Sequence, residues 1–236
     1  MENNRIVFCT LAYFERCRLA SIGLINSFLD YYSNHKLLIA TDDTSFYDNY
    51  SHENIEIVGV NLNLTEDFAR GNFPFNEKYV PIKHSLKLLN PEIIIYIDSD
   101  GIIDEGINLE EFMKLNEGVN VVTNTDTFDD ISNAVVRERV KETMREGENV
   151  HIFQEPVLIL RVTNTANALK FVKEWKLICS HIRKKGYLHS WECVEIGFAC
   201  QRSGFNINDI RKSNLDKKFY HRKFPIKHGE DIHYSL

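Results

Sequence analysis

"IIIYIDSDGIID", residues 93–104, runs five apolar or aromatic residues together and then sets two carboxylates one residue apart, Asp98 and Asp100. A run that is apolar at every position, rather than at every second one, predicts a strand covered on both faces, as in the middle of a parallel sheet. The residues before it agree. Pro81 suits the first turn of a helix, Ile82, Leu86 and Leu89 supply its buried stripe, and Asn90-Pro91 ends it shortly before the strand. In open α/β sheets ligands sit beyond the carboxyl ends of the strands, and that is where Asp98 and Asp100 leave the interior. Two carboxylates there are hard oxygen donors suited to Mg²⁺ or Mn²⁺, ions that usually bring a diphosphate with them. Asp, Ser, Asp and Gly are also turn residues, so a plain turn is the competing explanation of the same letters.

Outward from this stretch, short β-rich runs alternate with helical patterns. Strands are expected over Ile6–Leu11, Lys36–Thr41, Ile55–Val60, Val119–Thr123 and Val157–Val162. Between and after them, Leu19, Ile22, Ile25 and Leu29 recur at helical spacing, a charged helix is expected near Val135–Arg145, and a long one carries Leu169, Val172, Trp175, Cys179 and Ile182 on one side. The alternation predicts an α/β fold with a mostly parallel, twisted central sheet and helices on both faces. No repeat, low-complexity tract or Pro/Gly/Ser linker interrupts the 236 residues, so a single domain over 1–236 is expected.

Composition narrows the function classes. The chain has 28 basic and 34 acidic residues, a net charge of −6, and so lacks the electrostatic footprint of a duplex-nucleic-acid binder. Five cysteines, odd in number and with no CxxC pair, fit neither a disulfide framework nor a zinc site and read as reduced core thiols. No window approaches the length of a membrane span. The expectation is a cytoplasmic protein with no integral membrane segment.

"IKHSLKLLNPEIIIYIDSDGII" resembles the core of the GT-A glycosyltransferases, in which a helix leads through a short turn into an apolar strand ending in Asp-x-Asp. "FCTLAYFERCRLASIGLINSF" is similar to their first strand and helix, and "LLIATDD" to their second strand. "FQEPVLILRVTNTANALKFVKEW" is similar to their acceptor-side strand and helix, "HSWECVEIGFACQRSGF" to the acidic start of a later helix, and "FPIKHGE" to a carboxy-terminal histidine segment. The chain departs from the best-known retaining branch in lacking Lys-Pro-Trp after that histidine and an acidic residue at the end of strand one.

The resemblance implies a single GT-A-like domain, with residues 1–124 as the nucleotide-sugar half and 125–236 as the acceptor-side half. It implies a nucleotide-diphosphate sugar donor, UDP-linked by analogy, a glycan or other hydroxyl acceptor, and Mn²⁺ or Mg²⁺. Asp100 would bind the metal directly, and Asp98 would share it or hold the ribose. His228 would be the third ligand, with His221 and His233 as competitors. Thr10, Leu11 and Tyr13 would meet the base, Asp42 or Asp43 the base or ribose, and Lys83 and Ser99 the donor near the Asp-x-Asp. Gln154 and Glu155 would contact the sugar. Glu192 and Glu195, three apart on one helix face, offer a group to orient the acceptor hydroxyl or act as general base, with Glu192 the candidate.

From Arg211 to Lys227 seven basic residues and one acid make a window of net +6, expected to fold over the donor diphosphate, with Lys227 among its contacts. "YIDSDGII" also resembles the nucleophile motif of haloacid-dehalogenase phosphatases, which would make Asp98 a nucleophile and Asp100 an acid/base. A catalytically silent nucleotide-sugar-binding protein is the third reading.

Overall fold

A computed structural model describes residues 5–62, 77–103, 108–123, 134–149, 153–184 and 192–210. Seven strands, β1 (Ile6–Ala12), β2 (Lys36–Thr41), β3 (Ile55–Gly59), β4 (Ile93–Ile97), β5 (Gly118–Thr123), β6 (Phe153–Arg161) and β7 (Ile207–Asp209), form one sheet in the order β3-β2-β1-β4-β6-β5-β7. The helices are α1 (Phe14–Tyr32), α2 (Tyr79–Leu88), α3 (Ala134–Thr143), α4 (Thr165–Lys184) and α5 (Glu192–Ser203), with 3-10 turns at Ser45–Tyr50 and Leu109–Lys114. β1, β2, β3 and β4 run parallel, as do β5 and β7, while β6 runs against both its neighbours β4 and β5. The fold is mixed α/β with a mostly parallel sheet, as the alternation of patterns requires.

β4 is buried at all five positions, and its alternate residues divide between two cores. Ile93, Ile95 and Ile97 pack with Phe8, Leu37 and Ile39 under α1, where Phe28 and Tyr32 meet the Phe8 ring at 5.3 and 4.9 Å. Ile94 and Tyr96 face the other way, with Cys9, Leu38 and Leu158, under α2, α4 and α5. Trp175 of α4 is fully buried there, between Tyr79 at 6.1 Å and Phe171 at 5.7 Å.

Three expectations shift. In α1 the buried face is Cys17, Ser21, Leu24, Ile25, Phe28 and Tyr32, while Leu19 is 40% exposed. Counting apolar letters overlooked Ser21, which is buried because its hydroxyl donates to the Arg18 carbonyl at 2.7 Å and shares a hydrogen bond with the Tyr47 hydroxyl at 2.8 Å. β6 starts at Phe153, ahead of the expected Val157. β7, only three residues long, carries too little pattern to be foreseen. It is seated by Gly118, whose φ of +131° is closed to other residues and where a Cβ would run into the Asn206 carbonyl oxygen. The Asn206 oxygen instead accepts the Val119 N–H at 2.8 Å.

At the amino ends of the central strands, Glu92 ties three of them together. Its carboxylate accepts from Arg5 Nε at 2.7 Å, ahead of β1, and from Arg161 Nη1 at 3.2 Å, at the end of β6. The Arg5 hydrogen bond, opposed by partial burial and aided by both guanidinium charges, holds the Glu92 carboxyl below its usual range. A depressed carboxyl contributes stability above its unfolded pKa, about 4.3, and loses it as pH falls through the lower folded value. Because Glu92 is 39% exposed, solvent limits the contribution to less than about 1 kcal/mol. Glu92→Gln should therefore lower Tm by about 2 °C near pH 7, and the gap from wild type should close as pH drops through about 4. Thermal melts at the two pH values check this; a gap that stays constant means the clamp is not electrostatic.

Candidate active site

The strand order reverses between β1 and β4. From β1 the chain moves outward to β2 and β3, then returns to lay β4 on the other side of β1. Connections on the two sides diverge at such a point and leave a crevice beyond the strands' carboxyl ends. The last pair joining the two strands is Cys9 with Tyr96, so Asp98 comes two residues beyond it, in the mouth of that crevice.

Asp98 to Gly101 is a tight turn, with the Gly101 N–H donating to the Asp98 carbonyl at 2.9 Å. The turn reading is correct for the backbone. On the α2 side, Lys78 Nζ lies 3.0 Å from Asp98 Oδ1 and the Tyr96 hydroxyl donates to the same oxygen at 3.2 Å. The Lys78 side chain is only 3% exposed, and its ammonium also sits 5.5 Å from the centre of the Tyr96 ring. On the α1 side, Ser99 is buried beside the Cys17 thiol. Burial pushes that thiol up to about 11, with the Ser99 hydroxyl opposing and the Asp100 charge adding to the rise. The Ile103 N–H then donates to Ser27 Oγ of α1 at 3.0 Å. The turn is held from both layers.

Across the crevice, Phe14 opens α1 with φ of +69°, a left-handed conformation that a bulky side chain adopts only under constraint. Its N–H donates to Asp42 Oδ1 at 3.1 Å, and Arg18 Nη1 reaches the same oxygen at 2.5 Å. Strain of this kind costs of order 1–3 kcal/mol and clusters at ligand sites. Asp43, not Asp42, bonds the first residue of the 3-10 turn that follows, accepting from Ser45 N at 3.1 Å and Oγ at 2.6 Å. Asp42 is instead bonded to the start of α1.

The remaining candidates scatter. Thr10 and Leu11 are buried within β1, and the Thr10 hydroxyl has no hydrogen-bond partner among the described residues. Tyr13 is buried at the end of β1 and its hydroxyl accepts the Leu62 N–H at 3.2 Å. Lys83 faces Gly59, Lys176 and Ser180, and the charges acting on it are those of Lys87 and Lys176. Glu195 does not look outward as expected: it is 1% exposed, facing α4, and accepts from the Cys179 thiol at 3.2 Å. Gln154 and Glu155 lie in β6 and Glu192 opens α5, but their side chains fall outside the described residues. So do His221, Lys227, His228, His233 and the whole basic window 211–227. Among the described residues, no group of three or more metal-binding side chains gathers.

Lys78 and Arg18 were missed from the sequence. A signal existed for Lys78: a helix entering from β3 must start near the carboxyl ends of the strands, so its first residues, not Lys83 about 7.5 Å further along, meet Asp98. Breaking a buried ion pair from one side typically costs 3–5 kcal/mol; with Asp98 18% exposed, about 2–3 kcal/mol is expected for Asp98→Asn. Lys78→Met combined with Asp98→Asn should cost less than the sum of the two single changes. Urea melts of the three variants measure the coupling; strict additivity would mean the contact contributes nothing.

No family model matches the chain, and neither does any curated protein. Solved structures do. The galactosyltransferase LgtC, held with donor and acceptor sugar analogues, is 13% identical, with 86% of this chain and 72% of that one covered at a TM-score of 0.46. The mannosyltransferase Ktr4p of S. cerevisiae is 11% identical over 81% of this chain and 64% of its own, with a TM-score of 0.48. The glycosyltransferase GlyE of Streptococcus pneumoniae is 12% identical over 92% of this chain and 50% of its own, with a TM-score of 0.49. At such identities the likeness is one of overall shape.

Proposed function

We propose that this chain is a metal-dependent glycosyltransferase of GT-A type, moving a sugar from a nucleotide-diphosphate donor, a UDP-sugar, to a hydroxyl acceptor. The observation that carries the reading is the Asp98–Asp100 turn, pinned by α1 and α2 where the strand order reverses. The donor set suits a hard divalent cation. Mg²⁺ and Mn²⁺ sites commonly take one or two protein carboxylates and complete their shell with water and substrate phosphates, so two aspartates are enough. Asp98 and Asp100 would hold the ion, with His228 as a third ligand. When bound, it would neutralise charge on the departing nucleoside diphosphate.

The chain's own groups would do the rest. Lys78, beside Asp98, adds a fixed positive charge on the α2 side, preorganised because its ammonium is already desolvated and oriented. Asp42, aimed by the Phe14 N–H and Arg18, would accept from the ribose or base, with Thr10, Leu11 and Tyr13 behind it. Gln154 and Glu155 would contact the transferred sugar. Glu192 would orient the acceptor hydroxyl or take its proton. Lys227 and its basic neighbours would cover the diphosphate and keep out water. No helix among the described residues is long and apolar enough to cross a membrane. Five free cysteines, all buried, support a reducing compartment such as the cytoplasm.

A screen of nucleotide sugars with and without Mn²⁺, read by thermal shift and by nucleoside diphosphate release, tests the reading. One donor should raise Tm only with metal and turn over. Asp100→Asn should keep the fold and lose at least about a hundredfold in turnover, as removal of one preorganised charge-stabilising group does. Normal turnover in Asp100→Asn sinks the metal-site assignment; metal-dependent binding with no turnover on any acceptor leaves a binding protein.

His228 must be neutral to coordinate, so Mn²⁺ affinity should weaken as pH falls through about 6.5. His228→Ala should flatten that dependence and weaken Mn²⁺ binding, while His221→Ala and His233→Ala should not. Loss of metal in a control with retention in His228→Ala reassigns the third ligand.

A further inference from the structure

On the outer side of α2 the described residues enclose a second pocket of about 420 Å³. Its walls are the exit from β3 at Gly59 to Leu62, the first turns of α2, and one side of α4. The volume lies in the range of small-molecule sites. Neither Asp98 nor Asp100 lines it.

Besides Asn61, its polar lining includes Glu77, Lys83, His84, Lys176, Ser180 and Arg183. Glu77 is 2% exposed and ion-paired with Arg183, so those two charges cancel. Lys83 and Lys176 are left with no carboxylate at ion-pair distance among the described residues. They come from different helices, so tertiary packing, not helical periodicity, brings them to one pocket. Burial and then the like charges of Lys87 and Lys176 lower the Lys83 pKa. Burial and the charges of Lys83 and Lys87 likewise lower that of His84, which leaves its imidazole neutral near pH 7 and able to share one hydrogen bond.

Two like charges gathered in a concave, partly desolvated place repel one another, and a bound anion removes that repulsion. A carboxylate would neutralise only one of them. A phosphate monoester carries close to two negative charges near pH 7 and three acceptor oxygens. We propose that this pocket binds a small molecule through a phosphate or diphosphate group, with Lys83 and Lys176 matching its charge and Ser180 and His84 completing its hydrogen bonds. The site is separate from the carboxylate crevice and needs no metal. It stands whether or not the chain transfers sugars.

The test is calorimetric titration of the full chain in EDTA with inorganic pyrophosphate and, separately, glucose 6-phosphate, alongside sedimentation with phosphatidylglycerol vesicles. A salt level of about 0.15 M KCl screens exposed charges beyond roughly 8 Å. Saturable binding of at least one soluble probe is expected. Lys83→Gln and Lys176→Gln should each weaken it about tenfold, as loss of a charge-assisted hydrogen bond does, with Ser180→Ala giving a smaller loss. Asp100→Asn should bind as wild type does, and this separates the pocket from the crevice. Circular dichroism and melting of each variant guard against unfolding; Ser180→Ala keeps the test alive if a lysine variant fails to fold. The proposal is overturned if neither soluble probe saturates, if only vesicles bind, if binding survives both lysine changes, or if it vanishes in Asp100→Asn.

Discussion

A strand covered on both faces has no room for charge until it ends. β4 lies between β1 and β6 and sends alternate side chains into two separate cores, so each of its five positions is buried. Leaving an unpaired carboxylate in that environment would cost several kcal/mol. The first acidic residues can therefore stand only past Ile97, and the reversal of strand order makes that spot a crevice instead of a covered edge. The place of Asp98 and Asp100 follows from burial and topology together.

What surrounds them is arranged for charge. Asp98 is partly desolvated yet carries two partners on one oxygen, the Lys78 ammonium and the Tyr96 hydroxyl. Ser99 turns the other way into α1, and Ile103 is tethered to Ser27. Across the opening, Phe14 holds a costly backbone conformation whose N–H is spent on Asp42. Neither feature is needed to close a sheet. Asp98 beyond β4 and the Asp42–Arg18 pair beyond β2 thus bring charged side chains to the same end of the sheet.

Much of the fold was legible because hydrophobic periodicity is a direct imprint of burial. The unbroken apolar run at 93–97, the stripe Val172, Trp175, Cys179 and Ile182, and the stop at Asn90-Pro91 all correspond to what is seen. Failures came where packing used polar groups. Ser21 and Ser27 face inward because their hydroxyls find partners, and Glu195 is buried against a thiol. At the candidate site, the position of Asp98 and Asp100 past the end of β4 was legible, but the side chains packed around Asp98 were not. Lys78 and Arg18 are ordinary letters until the chain folds, and Lys83, five residues further along α2, opens toward a different pocket. A direction along a helix is not written in its composition.

The antiparallel strand has a consequence for how the chain comes off the ribosome. β1 to β4 can pair among themselves as soon as residue 97 has emerged, but the outer edge of β4 is closed only by β6, which ends at Arg161. At about 5–20 residues per second of synthesis, the nascent protein spends several seconds with five apolar residues along an unpaired edge. Such an edge is a template for another chain. Translation speed across the segment between the two strands, and the chaperones present during it, therefore bear on the yield of folded protein.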